Sequence, residues 1–379
     1  MESILKWEEK VNELKKSDPE AYIILNRIYK YYSDQGAMII PSTFQDKAYS
    51  YMGDKSLPRE DAMEKIENQQ ILKISNKWTG EGAVFNSLRA QRPGVKVENR
   101  LNEIQKLIED SKKHCDFCKP EIYTPEDLFG RVKGKHCITA ANLAKYDAWS
   151  SLLIFKKHNP LDFNQDELSD YLDTAFNWFN QVYEYDQRYQ FPFMIWNCLY
   201  KAGASQVHGH AQILMTKDFP YAKIGNLYSS AEKYRKSIGK DYFTDLYHLH
   251  HTLGLGQSHS DVNIILSLTP LKEKEILIIS PEPPDKSHQA KEAVFKILRC
   301  YIEVLGVENF NLAVNCPQIN VDDTTYESSD FPYLIKIVDR GPLQSKTTDI
   351  GGMELYGSSV ASNDPYHIMG SLKKCWEKF

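Results

Sequence analysis

The spacing of apolar residues predicts that this chain contains both helices and strands. Residues 1–70 are predicted to be mostly helical, since apolar side chains recur three and four positions apart from Ile4 to Leu14 and again from Ile23 to Tyr31. A long helix is predicted after Asn164, because asparagine is a favoured N-cap and acidic residues follow it. The apolar stripe of that helix consists of Leu168, Leu172, Ala175, Phe176, Phe179 and Val182.

Shorter apolar runs between turn residues predict the strands. They fall within residues 71–85, 127–155, 191–198, 207–216, 261–268, 274–280, 310–315 and 332–338. Further helices are predicted over 97–113, 226–250 and 290–305 and at the end of the chain. Residues 150–216 and 262–338 have a similar order of elements, which indicates a faint internal repeat with a domain boundary near 220–260.

Composition and charge narrow the class of protein. The net charge of −5 gives no electrostatic reason to expect nucleic acid as a partner. The seven cysteines are too few and too irregularly spaced for a disulfide framework, which favours a reducing compartment. The N-terminus lacks the uncharged core of a signal peptide, and no apolar run reaches the roughly 18 residues of a membrane span. We therefore expect a cytoplasmic protein without a membrane partner.

Candidate chemistry is concentrated in the segment that contains His208, Gly209, His210, Ala211 and Gln212. If this segment is a strand, the side chains of His208, His210 and Gln212 project to one face. A neutral imidazole is a good nucleophile toward phosphorus and a good leaving group afterwards, as covalent nucleotidyl transfer requires. The residues alone leave open that both histidines bind metal or that one is a surface side chain.

The loop before this segment is built from small residues. Gly203 and Ala204 have almost no side-chain bulk, so that a phosphate could approach their backbone N–H groups, and Ser205 could add a hydroxyl donor.

Cys115 and Cys118 have the spacing that allows two thiolates to bind one Zn²⁺. No second Cys-x-x-Cys is present, so the other two ligands must come from elsewhere in the chain. His158 and His208 are candidates, with His114 and His136 as rivals, and two buried thiols without a metal remain an alternative.

Arg89 and Arg92 place two guanidinium groups three residues apart, just before Pro93. Arginine can bind phosphate oxygens with two parallel hydrogen bonds. A solvated loop with structural ion pairs is the alternative for such a pair.

Four of these features, in this order, resemble the galactose-1-phosphate uridylyltransferase family. They are Arg-Ala-x-Arg-Pro at 89–93, the Cys-x-x-Cys at 115–118, His158, and the segment 197–212, which reads NCLYKAGASQVHGHAQ. That family is the transferase branch of the histidine-triad superfamily, beside the ADP-glucose phosphorylases and diadenosine tetraphosphate phosphorylases. The resemblance covers residues 75–216 well and becomes weak thereafter.

The resemblance implies an α+β fold of two histidine-triad-like units with antiparallel half-barrel sheets and flanking helices. The units are expected at 71–225, with the zinc site and the catalytic residues, and at 226–379, after a helical N-terminal extension over 1–70. A homodimer is the implied assembly.

The resemblance also implies a function and roles for individual residues. The chain would be a nucleotidyltransferase similar to a hexose-1-phosphate uridylyltransferase, transferring a nucleoside monophosphate between a nucleotide sugar and a hexose 1-phosphate. His210 would be the nucleophile, with Gln212 and Ser205 at the phosphates. The substrate would also contact Asn197, Arg89, Arg92, Gly203 and Ala204, and a structural Zn²⁺ would be held by Cys115, Cys118, His158 and His208.

The chain departs from the family pattern in several places. Gly209 stands where the transferases commonly have proline, and the second half lacks a His-rich metal segment, so there is little reason to expect a second metal. The glycine-rich tail at 351–354 and residues 363–365 are similar to phosphorylase-like members. A phosphorylase that splits ADP-glucose, GDP-glucose or a diadenosine polyphosphate with inorganic phosphate is therefore an alternative. A zinc-stabilised nucleotide-binding module without turnover is another.

Overall fold

The computed structural model of the chain describes residues 3–91, 100–319, 331–345 and 348–379. Within these ranges there are twelve α-helices. They are α1 (Trp7–Ser17), α2 (Pro19–Ile28), α3 (Ser42–Met52), α4 (Arg59–Glu67), α5 (Arg100–Ser111), α6 (Pro120–Tyr123), α7 (Gln165–Tyr185), α8 (Ala222–Ile238), α9 (Tyr242–Thr252), α10 (His288–Glu303), α11 (Gly352–Tyr356) and α12 (Pro365–Lys378).

The strands form two sheets. The strands are β1 (Tyr29–Ala37), β2 (Asn68–Asn76), β3 (Gly82–Phe85), β4 (Cys137–Ala141), β5 (Trp149–Phe155), β6 (Tyr189–Cys198), β7 (His210–Lys217), β8 (Gly256–His259), β9 (Val262–Leu266), β10 (Ile276–Ser280), β11 (Phe310–Asn315), β12 (Tyr333–Asp339) and β13 (Ser359–Ala361). The larger sheet has the order β4-β5-β7-β6-β11-β12-β10-β9-β8, and the smaller has the order β1-β2-β3-β13. All ladders of the larger sheet are antiparallel, so the predicted α+β class is confirmed.

The larger sheet joins the strands of the two predicted units edge to edge. β6, from the first unit, pairs with β11, from the second, along six residues, with Phe310 opposite Cys198 and Asn315 opposite Phe193. One continuous sheet of nine strands therefore carries both halves of the chain.

One face of this sheet is covered by α7 and α10. α7 packs on β4 to β7, α10 packs on β10, and the two helices contact each other. α7 begins at a capping box, in which Asn164 binds the N–H of Glu167 and the Glu167 carboxylate binds the N–H of Asn164. Every member of the apolar stripe predicted for this helix is buried.

In the second half, the smaller sheet lies against the opposite face. Lys336 of β12 lies on this face and forms an ion pair with Glu81, in the turn between β2 and β3, at 3.4 Å. Asn76 of β2 donates to the Tyr242 hydroxyl of α9 at 2.8 Å. In the first half, the same face carries the candidate site.

Several elements differ from the predictions, among them β1, the helix predicted over 226–250 and the start of β7. The extension contains a strand, β1, where a helix was expected to continue, because apolar Tyr29 and Tyr31 alternate with polar residues after α2 ends at Ile28. The helix predicted over 226–250 is two helices, since Gly239 takes a left-handed φ of 75° that ends α8 and Asp241 caps α9. β7 begins at His210, so His208 lies before the strand and not within it.

Among the described residues, no helix is both long enough and apolar enough to cross a membrane.

Candidate active site and metal centre

Cys115, Cys118, His158 and His208 come together from three parts of the chain. One donor atom of each lies within 4.8 Å of the others. The Nδ1 atoms of the two histidines are 3.1 Å apart, and Cys118 Sγ is 3.4 Å from His158 Nδ1. His208 Nδ1 is 3.3 Å from Cys115 Sγ and 3.6 Å from Cys118 Sγ. The rival ligands His114 and His136 are not in this cluster.

These spacings fit a tetrahedral zinc site. Zinc bonds of about 2.0–2.1 Å to nitrogen and about 2.3 Å to sulfur place four ligand atoms roughly 3.3–3.8 Å apart. The donor set of two thiols and two imidazoles is also that of a structural zinc site. These residues therefore could hold a zinc ion.

The outer nitrogens of both histidines have their own partners. His208 Nε2 lies 2.7 Å from the carbonyl oxygen of Phe155, the last residue of β5. His158 Nε2 lies 2.9 Å from the Ser111 hydroxyl at the end of α5. Such contacts fix the ring orientation, so that each Nδ1 faces the cluster.

Burial perturbs the protonation of the cluster. It lowers the pKa of His208 to about 4 and raises the pKa of the Cys118 thiol to about 11. Both shifts disfavour the charged form. Partial loss of solvent is the main cause of each, and the neighbouring Cys115 thiol adds to the rise in the pKa of Cys118, whose residue as a whole is exposed. A divalent cation among the four donor atoms would favour the thiolates instead.

His210 lies at the start of β7 and is only 5% exposed. Its Nδ1 is 2.8 Å from the carbonyl oxygen of His208. A carbonyl can only accept, so Nδ1 carries the proton and Nε2 keeps its lone pair in the neutral ring. Burial lowers the pKa of His210, which favours this neutral form. Phe117, which lies between the two cysteines in the sequence, packs edge-on against His210, with the ring centroids 5.3 Å apart.

Gln212 and Asn197 lie on the same face of the sheet as His210. Ile195 of β6 is opposite Gln212 of β7, and paired residues share a face. Two residues further along each strand are Asn197 and His210, which the alternation of side chains places on that face too. One predicted phosphate ligand, Gln212, and one predicted substrate contact, Asn197, therefore lie on the same face of the sheet as the predicted nucleophile.

The loop from Leu199 to Ser205 is tightly folded. Leu199 has a φ of 66° and a ψ of 177°, a conformation that side chains rarely adopt. The N–H of Gly203 donates to the Tyr200 carbonyl, and the N–H of Ala204 donates to the Leu199 carbonyl. These two N–H groups thus hold the loop together, whereas Ser205 is exposed to solvent.

Arg89 lies in a short 3-10 helix, Ser87–Gln91, and lines a cavity of about 440 Å³. Arg92 lies outside the described residues. Lys201, from the loop before Ser205, lines the same cavity, so the cavity adjoins that loop.

Three polar residues of the second half also belong to this region, and the sequence analysis missed them. Asn311 of β11 donates to the side chain of Asn197 at 2.7 Å. Arg340 donates to Asn311 at 2.6 Å and binds Asp349 with Nε and Nη2. The signal in the sequence is slight: Asn311 and Asn315 alternate with apolar residues in β11, which marks one polar face.

Comparison with solved structures identifies the fold. An ADP-glucose phosphorylase from Arabidopsis thaliana with bound ADP-glucose matches with a TM-score of 0.60 at 16% identity, covering 79% of this chain and 97% of that one. A galt-like protein from the same plant matches with a TM-score of 0.56 at 17% identity, covering 69% and 92%. A uridylyltransferase matches with a TM-score of 0.54 at 11% identity, covering 67% and 89%.

No family model matches the sequence, and no curated protein sequence matches it. At the identities of the structural matches, the likeness establishes the fold alone. The chain has the fold of uridylyltransferase-like proteins, and the resemblance seen in its motifs is confirmed at that level.

Proposed function

We propose that this protein is a nucleotidyltransferase that forms a covalent nucleotidyl-histidine at His210. One observation carries the proposal: Nδ1 of the buried His210 ring is hydrogen-bonded to the His208 carbonyl, so that Nε2 is the ring nitrogen that keeps its lone pair. The surrounding groups support it, because Gln212 and Asn197 supply amides at the same face of the sheet.

In the first step, the Nε2 lone pair attacks the α-phosphorus of a nucleotide sugar. The phosphorus–oxygen bond to the sugar phosphate breaks, and its electron pair leaves with the sugar phosphate. The Nδ1 proton stays shared with the His208 carbonyl. Gln212, Asn197, Ser205 and Arg89 would stabilise the charge on the nonbridging oxygens, as positioned donors do in phosphoryl-type transfer.

In the second step, a phosphate oxygen of the acceptor attacks the same phosphorus. The bond between phosphorus and Nε2 breaks, and its electron pair returns to the imidazole. The reaction is therefore ping-pong, and neither step requires a change in the protonation of Nδ1.

Zinc would be structural in this scheme. Bound by Cys115, Cys118, His158 and His208, it would act by fixing the backbone around His208. The carbonyl of His208 orients the His210 ring, so the metal-binding residues support the nucleophile without contacting substrate. We propose no second metal.

The surroundings of His210 suggest how the substrate binds. Phe117 and Leu152 pack with Ile138, Ala140 and Ile154 into a small apolar cluster next to His210, which suits a nucleobase. The 440 Å³ cavity is lined mainly by charged and polar groups, among them Arg89, Lys201, Arg340 and Asp349. No aromatic ring is among its described lining residues, so it suits a sugar phosphate better than a second base.

The acceptor defines two versions of the proposal. Hexose 1-phosphate would make the protein similar to a hexose-1-phosphate uridylyltransferase. Inorganic phosphate would make it a phosphorylase, a version favoured by the structural match to an ADP-glucose phosphorylase with bound ADP-glucose. The division at residues 70 and 225, a homodimer and a cytoplasmic location stay predictions.

The test is to trap the intermediate. UDP-glucose, ADP-glucose and GDP-glucose, each labelled at the α-phosphorus, are incubated with the protein, and acid-labile label on the protein is measured. We expect label on the wild type, none on His210→Gly, and unchanged labelling in the control His288→Ala, which alters an exposed histidine at the start of α10. Full labelling of His210→Gly would refute the mechanism, and binding without label would favour the non-catalytic nucleotide-binding module. Adding phosphate or a hexose 1-phosphate then identifies the acceptor by the product released.

A further inference from the structure

Asn311 connects two parts of the candidate site that no sequence motif links. Its Nδ2 donates both to Asn197 Oδ1, at 2.7 Å, and to the carbonyl oxygen of Ala202, at 2.8 Å. Its Oδ1 accepts from Arg340 Nη1 at 2.6 Å. The second half of the chain thus contacts both the strand and the loop that precede His210.

The orientation of the Asn311 amide is determined by its partners. A guanidinium group can only donate, so Asn311 Oδ1 must face Arg340. A carbonyl can only accept, so Asn311 Nδ2 must face Ala202. The two requirements agree, and an NH₂ group is therefore presented to Asn197.

The orientation of the Asn197 amide follows from this. Because the Asn311 NH₂ group faces it, Asn197 must present its Oδ1 there, and its own Nδ2 is turned elsewhere. Among the described residues, Asn197 Nδ2 makes no hydrogen bond, so it is available as a donor. A flipped Asn197 would place an NH₂ group against the NH₂ group of Asn311 and leave Oδ1, an acceptor, as its outward-facing atom.

Arg340 is itself held firmly. Its guanidinium forms two hydrogen bonds with the Asp349 carboxylate, at 2.5 and 3.0 Å, and both side chains are mostly buried. Its backbone N–H donates to the Asn309 carbonyl at 2.9 Å. Because this ion pair holds the guanidinium in one orientation, the guanidinium in turn orients the Asn311 amide.

We propose that Asn311, fixed by Arg340, is a positioning residue for nucleotidyl transfer. It sets the Asn197 amide so that Nδ2 donates to the transferred phosphate, and it holds the Ala202 carbonyl at the entrance of the Gly203–Ser205 loop. This inference rests on the proposed function, since it assigns Asn197 to the phosphate of the nucleotide donor.

The decisive variant is Asn311→Asp. The carboxylate has the same shape and still accepts from Arg340, but it cannot donate, and it places an acceptor against Asn197 Oδ1 and the Ala202 carbonyl. In rapid-quench experiments with α-labelled ADP-glucose or UDP-glucose, whichever labels the wild type, we expect the labelling rate to fall about 100-fold. Arg340→Lys, which keeps the charge and loses the paired geometry, should lower the rate less, by about 10-fold.

The matched control is Asn315→Asp, the same replacement on the same strand and the same face. Asn315 is opposite Phe193 and not opposite Asn197, so its labelling rate should stay within about 2-fold of wild type. Urea unfolding and zinc content are measured for each variant. If Asn311→Asp does not fold, the labelling rate of Arg340→Lys relative to wild type tests the inference instead: a rate equal to wild type would overturn it.

A double-mutant cycle separates positioning from a general structural effect. If Asn311 acts through Asn197, Asn311→Asp should slow the Asn197→Ala protein by only a few-fold, because the amide that it orients is absent. The inference would be overturned if the two substitutions slowed labelling by the product of their separate effects. It would also be overturned if Asn311→Asp were labelled at the wild-type rate, or if Asn315→Asp lost as much of the labelling rate as Asn311→Asp. Absence of label on the wild-type protein would instead overturn the proposed function on which the inference depends.

Discussion

Gly209 offers the sharpest test of how this site is built, because it separates the two histidines at the position where the resembling transferases commonly have proline. Its N–H donates to the His158 carbonyl at 3.0 Å, and its carbonyl accepts from the N–H of Phe155 at 2.9 Å. A Cβ added at Gly209 would lie 2.6 Å from Phe155 Cδ2 and 3.3 Å from the Cα of Pro160. Proline at this position is therefore expected to be unfavourable here.

The ring of Phe155 has little room to yield. It stacks on Tyr171 with centroids 3.8 Å apart and meets Trp196 edge-on at 4.9 Å. Overpacking of a filled core costs about 1–3 kcal/mol. Loss of the N–H donor leaves the His158 carbonyl without its partner and costs a further 1–3 kcal/mol or so. We thus expect Gly209→Pro to lower the free energy of unfolding by about 2–6 kcal/mol.

Gly209→Ala separates the two contributions. It adds the same Cβ but keeps the N–H, so the loss should be only about 1–3 kcal/mol. The assay is urea unfolding of the zinc-loaded protein, with the His210 labelling rate measured in parallel. A Gly209→Pro protein as stable as wild type would refute the steric argument, and equal losses for proline and alanine would refute the argument from the hydrogen bond.

Two further predictions concern the metal centre and a buried histidine. We expect mass spectrometry to find about one zinc per chain. Removal of zinc by a chelator, or the variant Cys118→Ser, should lower the thermal midpoint of unfolding and slow the labelling of His210. A protein that folds and is labelled equally well without zinc would contradict the role assigned to the metal. His250 is fully buried, and burial lowers its pKa from 6.5 to about 4, so the unfolded chain binds the proton first as pH falls. Stability contributed by the neutral ring is present above pH 6.5 and decreases by about 3 kcal/mol toward pH 4. Urea unfolding at several pH values should therefore show a weaker pH dependence in His250→Leu, and an unchanged dependence would contradict this reasoning.

The parts of the fold predicted from sequence are those governed by local patterns. The apolar stripe and the N-cap of α7 could be predicted from the sequence, because both depend on residues three and four positions apart. β1 was missed because its alternating tyrosines follow a helix without a clear stop signal, and the break after Ile238 depends on the left-handed Gly239.

The residues of the candidate site also differ in whether a local sequence pattern identifies them. His210 and Gln212 were predicted from a contiguous motif, Asn197 from the resemblance, and the four members of the metal cluster from the Cys-x-x-Cys and the resemblance. Asn311 and Arg340 were not, because they reach this region through the pairing of β11 with β6, which joins residues more than a hundred positions apart. The pairing of distant strands has no local signature that a single sequence could reveal.

That pairing also decides how the chain can be divided. A cut between residues 225 and 226 would separate β6 from β11 and leave each fragment with an open strand edge six residues long. Open edges of this kind associate with other strands, so each fragment alone should aggregate, whereas fragments produced together should recombine. The strands on the two sides of residue 225 thus belong to one sheet, and we expect neither fragment to fold independently. On the proposed function, the fragment with His210 would also lack Asn311 and Arg340, which position Asn197.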